Sequence, residues 1–360
     1  MAVQRARRVW LPSPKTIEIQ EIDLEPMGER SVLVKSVLSG ISHGTEMALY
    51  NATAPTLTKT FDRKKRLFPD VEPKKEFAGR TLGYENVGQV VQVGPQVTAL
   101  QKGDLIWCFA PHMDYYIFEE GKPMTSWPPP LGYYSVKLPS NVTPEQGIFT
   151  ALAGVALAAV QDAAVKVGDY VVVFGAGAIG LLCTQLALLN GARCVFVSEP
   201  QENRRNMAVA LGAIGLDPTR CDVAMAVRDM AGGRAADVSI EASGNQKAIH
   251  QAIRCTGMGG NVVTLGFYQG GAPDLRLGEE WHHNRVTMRS SMTAWLCPSR
   301  YYPQWDPLRG YETVVDLMAR GQLKVENLIT QRVPFERAAE AYRLVDEHPR
   351  DVLKVALSYS

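Results

Sequence analysis

The chain has 360 residues, of which 46% are hydrophobic and 21% are charged, close to the average of globular proteins. Its 38 lysines and arginines nearly cancel its 37 aspartates and glutamates, so the formal charge is only +1. This balance creates no field that would attract a nucleic acid or an anionic membrane. Length and composition therefore predict a globular protein of two domains whose partner is a small molecule.

The predicted elements change in character along the chain. In residues 1–150, short β-type runs such as SVLVKSVLSG (31–40) and VGQVVQVG (87–94) are separated by Gly, Pro and Asp turns, which predicts a mostly β region. From residue 151 onward, β-branched runs alternate with helical stretches. Alternating strands and helices predict an α/β domain with a doubly wound parallel sheet.

The sequence VVVFGAGAIG (171–180) is the strongest local signal in that second region. A β-branched run leads into Gly175, Gly177 and Gly180, spaced as G-x-G-x-x-G, and an apolar helical stretch follows. Such glycines permit a tight turn, the approach of a pyrophosphate and close helix packing, with the phosphates at the helix N-terminus. Glu199 ends the next predicted strand, where a carboxylate can accept ribose hydroxyls and repel a 2′-phosphate. NAD is therefore favoured as cofactor, and Arg204 and Arg205 leave NADP possible.

The remaining predicted cofactor contacts lie in the same motif or at later strand ends: Ile179, Ser243 and Gly266. The 19 residues from Val171 are apolar enough to span a bilayer, but the glycines favour one βαβ unit instead. The six cysteines include no CxxC pair, a pattern that fits a reducing cytoplasm. We expect a cytoplasmic protein with no membrane partner.

Several segments in fixed order carry a resemblance to a known family: SGISHGTE (39–46), LGYENVGQVVQVG (82–94), KGDLIW (102–107), VKVGDYVVVFGAGAIG (165–180) and PFERAAEAYRLVDEHPRDVLKVALSY (334–359). Together they resemble the medium-chain dehydrogenase/reductase superfamily. The resemblance implies a chaperonin-10-like, β-rich catalytic domain formed by residues 1–150 and 295–360. It also implies a Rossmann dinucleotide-binding domain over residues 151–294 and a homodimer.

The chain departs from the zinc-dependent members of that family at the places of their ligands. Those members share three zinc ligands: a Cys, the His of a Gly-His-Glu sequence, and a third Cys or acidic residue. The corresponding places here hold Ser42 or His43, then Tyr84, then Thr150 or Ala151.

A catalytic zinc needs three ligands from Cys, His and carboxylate, and only His43, Glu46 and Glu85 could supply them. We predict no catalytic zinc, with a metal held by these three residues as the alternative. A structural zinc is not expected either. Family members bind it with four closely spaced cysteines, and the corresponding segment of this chain contains only one cysteine.

Hydride transfer from an alcohol requires that the developing alkoxide be stabilised, which zinc would do as a Lewis acid. The phenol of Tyr84 is the first candidate replacement, because it can donate a hydrogen bond or pass a proton; the alternative is an aromatic plug. His43 is a candidate cationic neighbour, and Thr45 a candidate proton relay to water. Glu46 and Glu85 are predicted to bind a substrate hydroxyl or to form internal salt bridges, because a buried, unpaired carboxylate is costly.

These observations predict an NAD(H)-dependent, zinc-independent oxidoreductase that interconverts a secondary alcohol and a ketone on a hydroxylated ring, sugar, cyclitol or polyol. Aromatic residues near the expected return to the first domain are candidates for stacking on such a ring: Trp295, Tyr301, Tyr302 and Trp305. Three alternatives remain open at this stage. They are quinone-reductase-like reduction of an activated C=C bond with NADPH, epimerisation on tightly bound NAD, and a non-enzymatic dinucleotide-binding role.

Overall fold

A computed structural model describes residues 4–62, 64–69, 77–122, 131, 133–292 and 305–360. Its strands are β1 Arg5–Ser13, β2 Thr16–Asp23, β3 Ser31–Ile41, β4 Arg80–Thr81, β5 Asn86–Val93, β6 Leu105–Cys108, β7 Tyr115–Glu119, β8 Ser135–Lys137, β9 Tyr170–Phe174, β10 Cys194–Ser198, β11 Ile214–Leu216, β12 Ala236–Glu241, β13 Thr256–Thr264, β14 Thr287–Ser290, β15 Gln331–Pro334 and β16 Val355–Ser358. Its helices are α1 Thr45–Tyr50, α2 Pro55–Thr58, α3 Pro144–Gly147, α4 Thr150–Asp162, α5 Ala178–Leu189, α6 Glu202–Ala210, α7 Val223–Met230, α8 Gln246–Cys255, α9 Pro307–Ala319 and α10 Ala338–Glu347. Two short helical turns add Leu277–Trp281 and Phe335–Arg337.

The backbone divides into two compact units. The β-rich unit comprises Met1–Thr150 and Val325–Ser360, and the parallel-sheet unit comprises Ala151–Lys324. The chain thus returns to the first unit at residue 325, whereas the sequence analysis places the return at residue 295. The difference arises because α9 packs in the parallel-sheet unit, where a Cβ added at Gly154 would lie 2.6 Å from the ring of Tyr311.

The β-rich unit is built around β3, an 11-residue strand that is mostly buried. The larger sheet has the order β15-β16-β3-β5-β6-β8, with β7 also paired to β3, and the smaller sheet has the order β2-β1-β4. Antiparallel pairing places Leu357 of β16 and Asn86 of β5 opposite Ser39 of β3. The last strand of the chain therefore lies directly beside the segments that carry the predicted catalytic residues.

The parallel-sheet unit has six strands in the order β11-β10-β9-β12-β13-β14, and every adjacent pair is parallel. This is the 3-2-1-4-5-6 order of a doubly wound sheet, so the predicted fold class is confirmed. The apolar run from Val171 is divided between β9 and α5. Within the described part of the chain, no helix is both long and apolar enough to cross a membrane.

Candidate active site

Tyr84 lies on the segment that leads into β5 and is partly buried. Its hydroxyl donates to Ser42 Oγ at 2.7 Å, and its ring stacks on Phe109 with 5.4 Å between centroids. Burial, followed by the charge of Glu85, raises the pKa of Tyr84 well above its ordinary value, although hydrogen bonds with Ser42 and Thr45 oppose the shift. At neutral pH the phenol is therefore a neutral hydrogen-bond donor.

Thr45 is the first residue of α1 and is exposed to solvent. Its side chain is close enough to Tyr84 to oppose the rise in the pKa of that phenol, and its role as a proton relay stays a prediction. His43 lies partly buried between Ser42 and the start of this helix. The candidate stacking residues are only partly within the described chain: Trp305 lies under the guanidinium of Arg309 at 4.2 Å, whereas Trp295, Tyr301 and Tyr302 lie outside it.

Glu46 is 1% exposed, and both of its carboxylate oxygens are occupied by donors from the protein. Oε1 accepts the backbone N–H of Ser42 at 2.8 Å. Oε2 lies 2.9 Å from His112 Nε2 and accepts the hydroxyl of Tyr342. Burial alone would raise the pKa of Glu46, but His112 and these hydrogen bonds outweigh it and hold the pKa below its usual value. The carboxylate therefore fixes the Ser42 backbone.

The hydrogen bonds continue from Glu46 through a buried polar chain that sequence reasoning did not identify. His112 is fully buried, and its Nδ1 lies 2.7 Å from Ser39 Oγ. The same Ser39 oxygen lies 2.8 Å from the hydroxyl of Tyr359. His112 stands in the loop between β6 and β7 with no spacing motif that links it to Glu46, so no sequence signal pointed to it.

Glu85 is also fully buried, and it forms a salt bridge with Lys354, which is 1% exposed. Lys354 Nζ additionally donates to the carbonyl of Ile41 at 2.9 Å. Glu85 Oε1 has no hydrogen-bond partner among the described residues. Burial raises the pKa of Glu85 to about 7 against the opposing charge of Lys354. Of the two roles expected for Glu85, the structure shows the internal salt bridge, and Lys354 was not among the predicted site residues.

The positions at which zinc-dependent family members carry their ligands hold side chains here that bind zinc poorly. The hydroxyls of Tyr84 and Ser42 bond to each other, and the Thr150 hydroxyl donates to the carbonyl of Gly147 at 2.8 Å. The neighbouring carboxylates are engaged by His112, Tyr342 and Lys354, as described above. Neutral hydroxyls are not the Cys, His or carboxylate donors of a catalytic zinc, so the donor set of this site does not suit the metal.

The glycine motif has the geometry predicted for it. Gly175 has φ of +91° and would place a Cβ 2.9 Å from Ser243, and a Cβ on Gly180 would lie 1.9 Å from the carbonyl oxygen of Gly175. At Gly177, by contrast, an added Cβ would meet nothing within 4 Å. Gly177 precedes α5, whose N-terminus has no side-chain cap, and Ile179 lies partly exposed in the first turn. This arrangement leaves free N–H groups and space for an anionic group.

Glu199 lies at the carboxyl end of β10 and is 5% exposed. Its Oε2 accepts the N–H of Ala176, within the glycine motif, and its Oε1 accepts the N–H of Gln201, at 2.8 and 2.9 Å. Arg204 is partly buried on α6. The neighbouring Arg205 donates to the carbonyl of Glu199 at 2.7 Å. Glu199 thus fixes the glycine loop in addition to carrying charge at the strand end.

Ser243 and Gly266 lie around another buried carboxylate, which was not predicted from the sequence. Glu241, at the end of β12, accepts the N–H of Ser243 at 2.8 Å and the hydroxyls of Ser243 and Tyr268. A Cβ on Gly266 would lie 2.7 Å from the Cα of Gly244. The loops that follow β12 and β13 are therefore held together beside Gly175.

A doubly wound sheet with a glycine-rich turn, together with a β-rich unit that buries a polar cluster, defines an oxidoreductase of the alcohol dehydrogenase type. Comparisons with known proteins agree. The sequence profile of the family described as "Zinc-binding dehydrogenase" matches residues 178–306. D-guloside 3-dehydrogenase of Escherichia coli (strain K12) is 30% identical over 359 residues, which cover 98% of this chain and 100% of that protein.

Two further similarities extend this result. Sorbitol dehydrogenase 1 of Saccharomyces cerevisiae is 29% identical over 308 residues, covering 78% of this chain and 82% of that protein. The crystal structure of 2R,3R-butanediol dehydrogenase from Bacillus subtilis is similar with a TM-score of 0.77 and 22% identity, covering 98% and 99% of the two chains. The chain belongs to the medium-chain dehydrogenase/reductase superfamily, and the enzyme class predicted from the sequence is confirmed.

Proposed function

We propose that this protein is an NAD(H)-dependent oxidoreductase that interconverts a secondary alcohol and a ketone on a hydroxylated ring, sugar, cyclitol or polyol, and that it does so without a catalytic zinc. The observation that carries the proposal is the hydroxyl pair of Tyr84 and Ser42, 2.7 Å apart, in the place of the family's metal ligands. These hydroxyls supply hydrogen-bond donors at the position where the family uses a Lewis acid.

The proposed chemistry of the β-rich unit follows from the protonation state of Tyr84. In the reducing direction, the carbonyl carbon gains a hydride and the carbonyl oxygen gains a proton. A neutral phenol donates to the oxygen as negative charge develops, and fixed donors of this kind stabilise an oxyanion without reorganising. The proton that Tyr84 gives up is replaced through Ser42, whose Oγ lies 2.7 Å from the phenol oxygen, and through the nearby Thr45, which is exposed to solvent. In alcohol oxidation the same groups carry the proton outward.

The proposed cofactor is NAD(H), which exchanges the hydride when it is bound. The open space at Gly177 and the uncapped N-terminus of α5 suit its pyrophosphate. Glu199 supports NAD over NADP, because its charge opposes a 2′-phosphate. Arg205 is engaged by two carbonyls, at 2.7 and 3.1 Å, and by Asp217 at 3.4 Å, so it is not poised to bind that phosphate.

The proposed substrate class is supported by two of the similar proteins, which are named for a guloside and for sorbitol. The structure changes the prediction that buried carboxylates bind a substrate hydroxyl. Glu46 is 1% exposed and already accepts three protein donors, so we do not assign it to a substrate hydroxyl. Glu85 retains one oxygen without a partner, but the residue is fully buried, so we do not assign it to a substrate hydroxyl either.

Tyr84→Phe tests the proposal. The substitution removes one hydroxyl and keeps the ring stacked on Phe109, so NADH affinity should be unchanged and stability should fall by about 1 kcal/mol. Turnover of a polyol substrate should fall by about 100- to 10,000-fold, as expected for the loss of an acid–base group. Single-turnover kinetics at saturating NAD⁺ isolate the hydride-transfer step.

Tyr115→Phe, at a partly buried tyrosine on β7, is the matched control and should leave turnover intact. A Tyr84→Phe enzyme that keeps more than about a fifth of its hydride-transfer rate, equivalent to about 1 kcal/mol of barrier, would assign Tyr84 to packing. Consumption of an activated C=C bond with NADPH, in the absence of alcohol oxidation, would replace the proposed reaction with enone reduction.

A further inference from the structure

Three side chains that can ligate a metal lie together in the parallel-sheet unit, away from the glycine motif. They are His250 on α8 and the adjacent Glu279 and Glu280 in the turn Leu277–Trp281. One potential ligand atom from each lies within 4.8 Å of the other two. Nitrogen and oxygen ligands bind Zn²⁺ at about 2.0–2.2 Å, so two ligands of one ion are separated by roughly 3–4 Å. Small side-chain rotations are enough to close this group around one ion.

The imidazole of His250 is buried with one of its ring nitrogens unsatisfied. His250 is only 8% exposed, and its Nδ1 is enclosed without a hydrogen-bond partner. Its Nε2 faces Glu279 Oε2 at 3.9 Å, which is beyond hydrogen-bond distance. A buried polar group left without a partner costs about 1–3 kcal/mol. Glu280 Oε2 is likewise enclosed and without a partner, so two orphaned atoms occur within one three-residue group.

The arginines beside the group do not satisfy its carboxylates. Arg276 lies 3.6 Å from Glu279 Oε1, and Arg254 lies 3.6 Å from Glu280 Oε1. Both separations are too long for direct hydrogen bonds, and the short contact of Arg254 is with Asp222 at 2.7 Å. Each glutamate therefore keeps its second oxygen available to a cation at His250.

We propose that His250, Glu279 and Glu280 bind one divalent transition-metal ion, for which Zn²⁺ is the probe. An imidazole with two carboxylates is a mixed nitrogen and oxygen set, and the imidazole favours zinc and similar ions over magnesium or calcium. Two carboxylates balance the charge of the ion, and water completes a tetrahedral shell. The ion would join α8 to the segment between β13 and β14. This site is independent of the proposed oxidoreductase chemistry.

The experiment uses the full-length chain without a histidine tag, stripped with a chelator and dialysed. Titration with Zn²⁺ in a calorimeter should show one ion per chain, and Co²⁺ should give the visible absorption bands of a tetrahedral site. His250→Ala and Glu280→Gln should each weaken Zn²⁺ binding by at least about 10-fold. His283→Ala is the matched control, since His283 is exposed on the same segment and its side chain hydrogen-bonds the backbone oxygen of Glu279 rather than a carboxylate of the group.

Two results would overturn the site. One is the absence of saturable Zn²⁺ binding to the stripped wild-type chain. The other is Zn²⁺ binding of unchanged affinity in both the His250 and the Glu280 variants, which would place the ion elsewhere. Glu280 is partly exposed, so Glu280→Gln keeps the test valid if the buried His250 substitution prevents folding. Circular dichroism establishes which variants are folded.

Discussion

The two buried carboxylates of the β-rich unit, Glu46 and Glu85, differ in the donors that surround them. Glu46 receives a backbone N–H, an imidazole and a phenol on its two oxygens. Glu85 receives one ammonium group and keeps an oxygen without a partner. The pKa of Glu46 is accordingly lowered and that of Glu85 raised to about 7. Burial is common to both, so the number of donors decides how firmly each carboxylate is held ionised.

The largest expected effect comes from removing the single donor of Glu85. Lys354→Met leaves a buried carboxylate without its cation and the Ile41 carbonyl without its donor. The free energy of unfolding should fall by about 3–5 kcal/mol, measured by urea titration. The double variant Glu85→Leu with Lys354→Met should recover most of that loss, because it replaces the pair by apolar groups of similar volume.

An exposed ion pair provides the control for this prediction. Asp316 on α9 and Arg320 at its C-terminal cap form an ion pair at 2.8 Å, with both side chains at least half exposed. Arg320→Met should cost less than about 1 kcal/mol. A Lys354→Met cost as small as that of the surface pair would mean that Glu85 is neutral in the folded protein and needs no cation.

The pH dependence of stability should separate the two carboxylates. Because the folded-state pKa of Glu85 is raised from 4.5 to about 7, its contribution is fully present below pH 4.5 and is lost as pH rises through 7. The folded-state pKa of Glu46 is lowered, so its contribution is present above pH 4.5 and is lost as pH falls through the folded value. Thermal melts from acid to pH 8 should show both slopes.

Single substitutions show which carboxylate causes each slope of stability against pH. Glu85→Gln should flatten the fall in stability between pH 4.5 and about 7, and Glu46→Gln should flatten the fall below pH 4.5. Glu18→Gln, at an exposed position on β2, should change neither. If Glu85→Gln leaves the neutral slope unchanged, another group titrates there and the assigned contrast between the two carboxylates is lost.

A smaller effect is expected at Glu199, where the carboxylate also has internal partners. Glu199→Ala should weaken NADH binding relative to NADPH binding by about 10-fold, or about 1.4 kcal/mol, because the ribose acceptor and the opposing charge disappear together. Glu199→Gln removes the charge and keeps an acceptor for Ala176, so it isolates the electrostatic part. Fluorescence titration with both cofactors measures the ratio, and an unchanged ratio would show that Glu199 does not reach the ribose.

The parts of the molecule that could be predicted from the sequence are those formed by neighbouring residues. The strand, the glycine turn and the helix of the motif lie within twenty residues of one another, and steric limits at Gly175 and Gly180 make that turn specific. The doubly wound sheet follows from the regular alternation of such units. The return of the chain to the β-rich unit at residue 325 could not be predicted in this way. Helix α9 belongs to the parallel-sheet unit because it packs against α4, and such packing leaves no signal in the sequence of α9.

The partners in the buried cluster could not be predicted in the same way. Glu46 meets His112 and Tyr342 across 66 and 296 positions of sequence, and Glu85 meets Lys354 across 269. The contact between Glu85 and Lys354 depends on the pairing of β16 with β3, and the contacts of Glu46 depend on the placement of α10 and of the loop between β6 and β7. The sequence identified which carboxylates needed a partner, since a buried charge is costly, but only the folded sheet shows which side chain supplies it.

The most direct test of the metal-free site compares zinc content and turnover in the same chelated sample. His250→Ala is the enzyme to use, because it removes the zinc site proposed in the parallel-sheet unit. We predict that polyol oxidation with NAD⁺ persists at the rate of the untreated variant when zinc is well below one ion per chain. Turnover that falls in proportion to the zinc removed, and returns when Zn²⁺ alone is added, would contradict a site built on the hydroxyls of Tyr84 and Ser42.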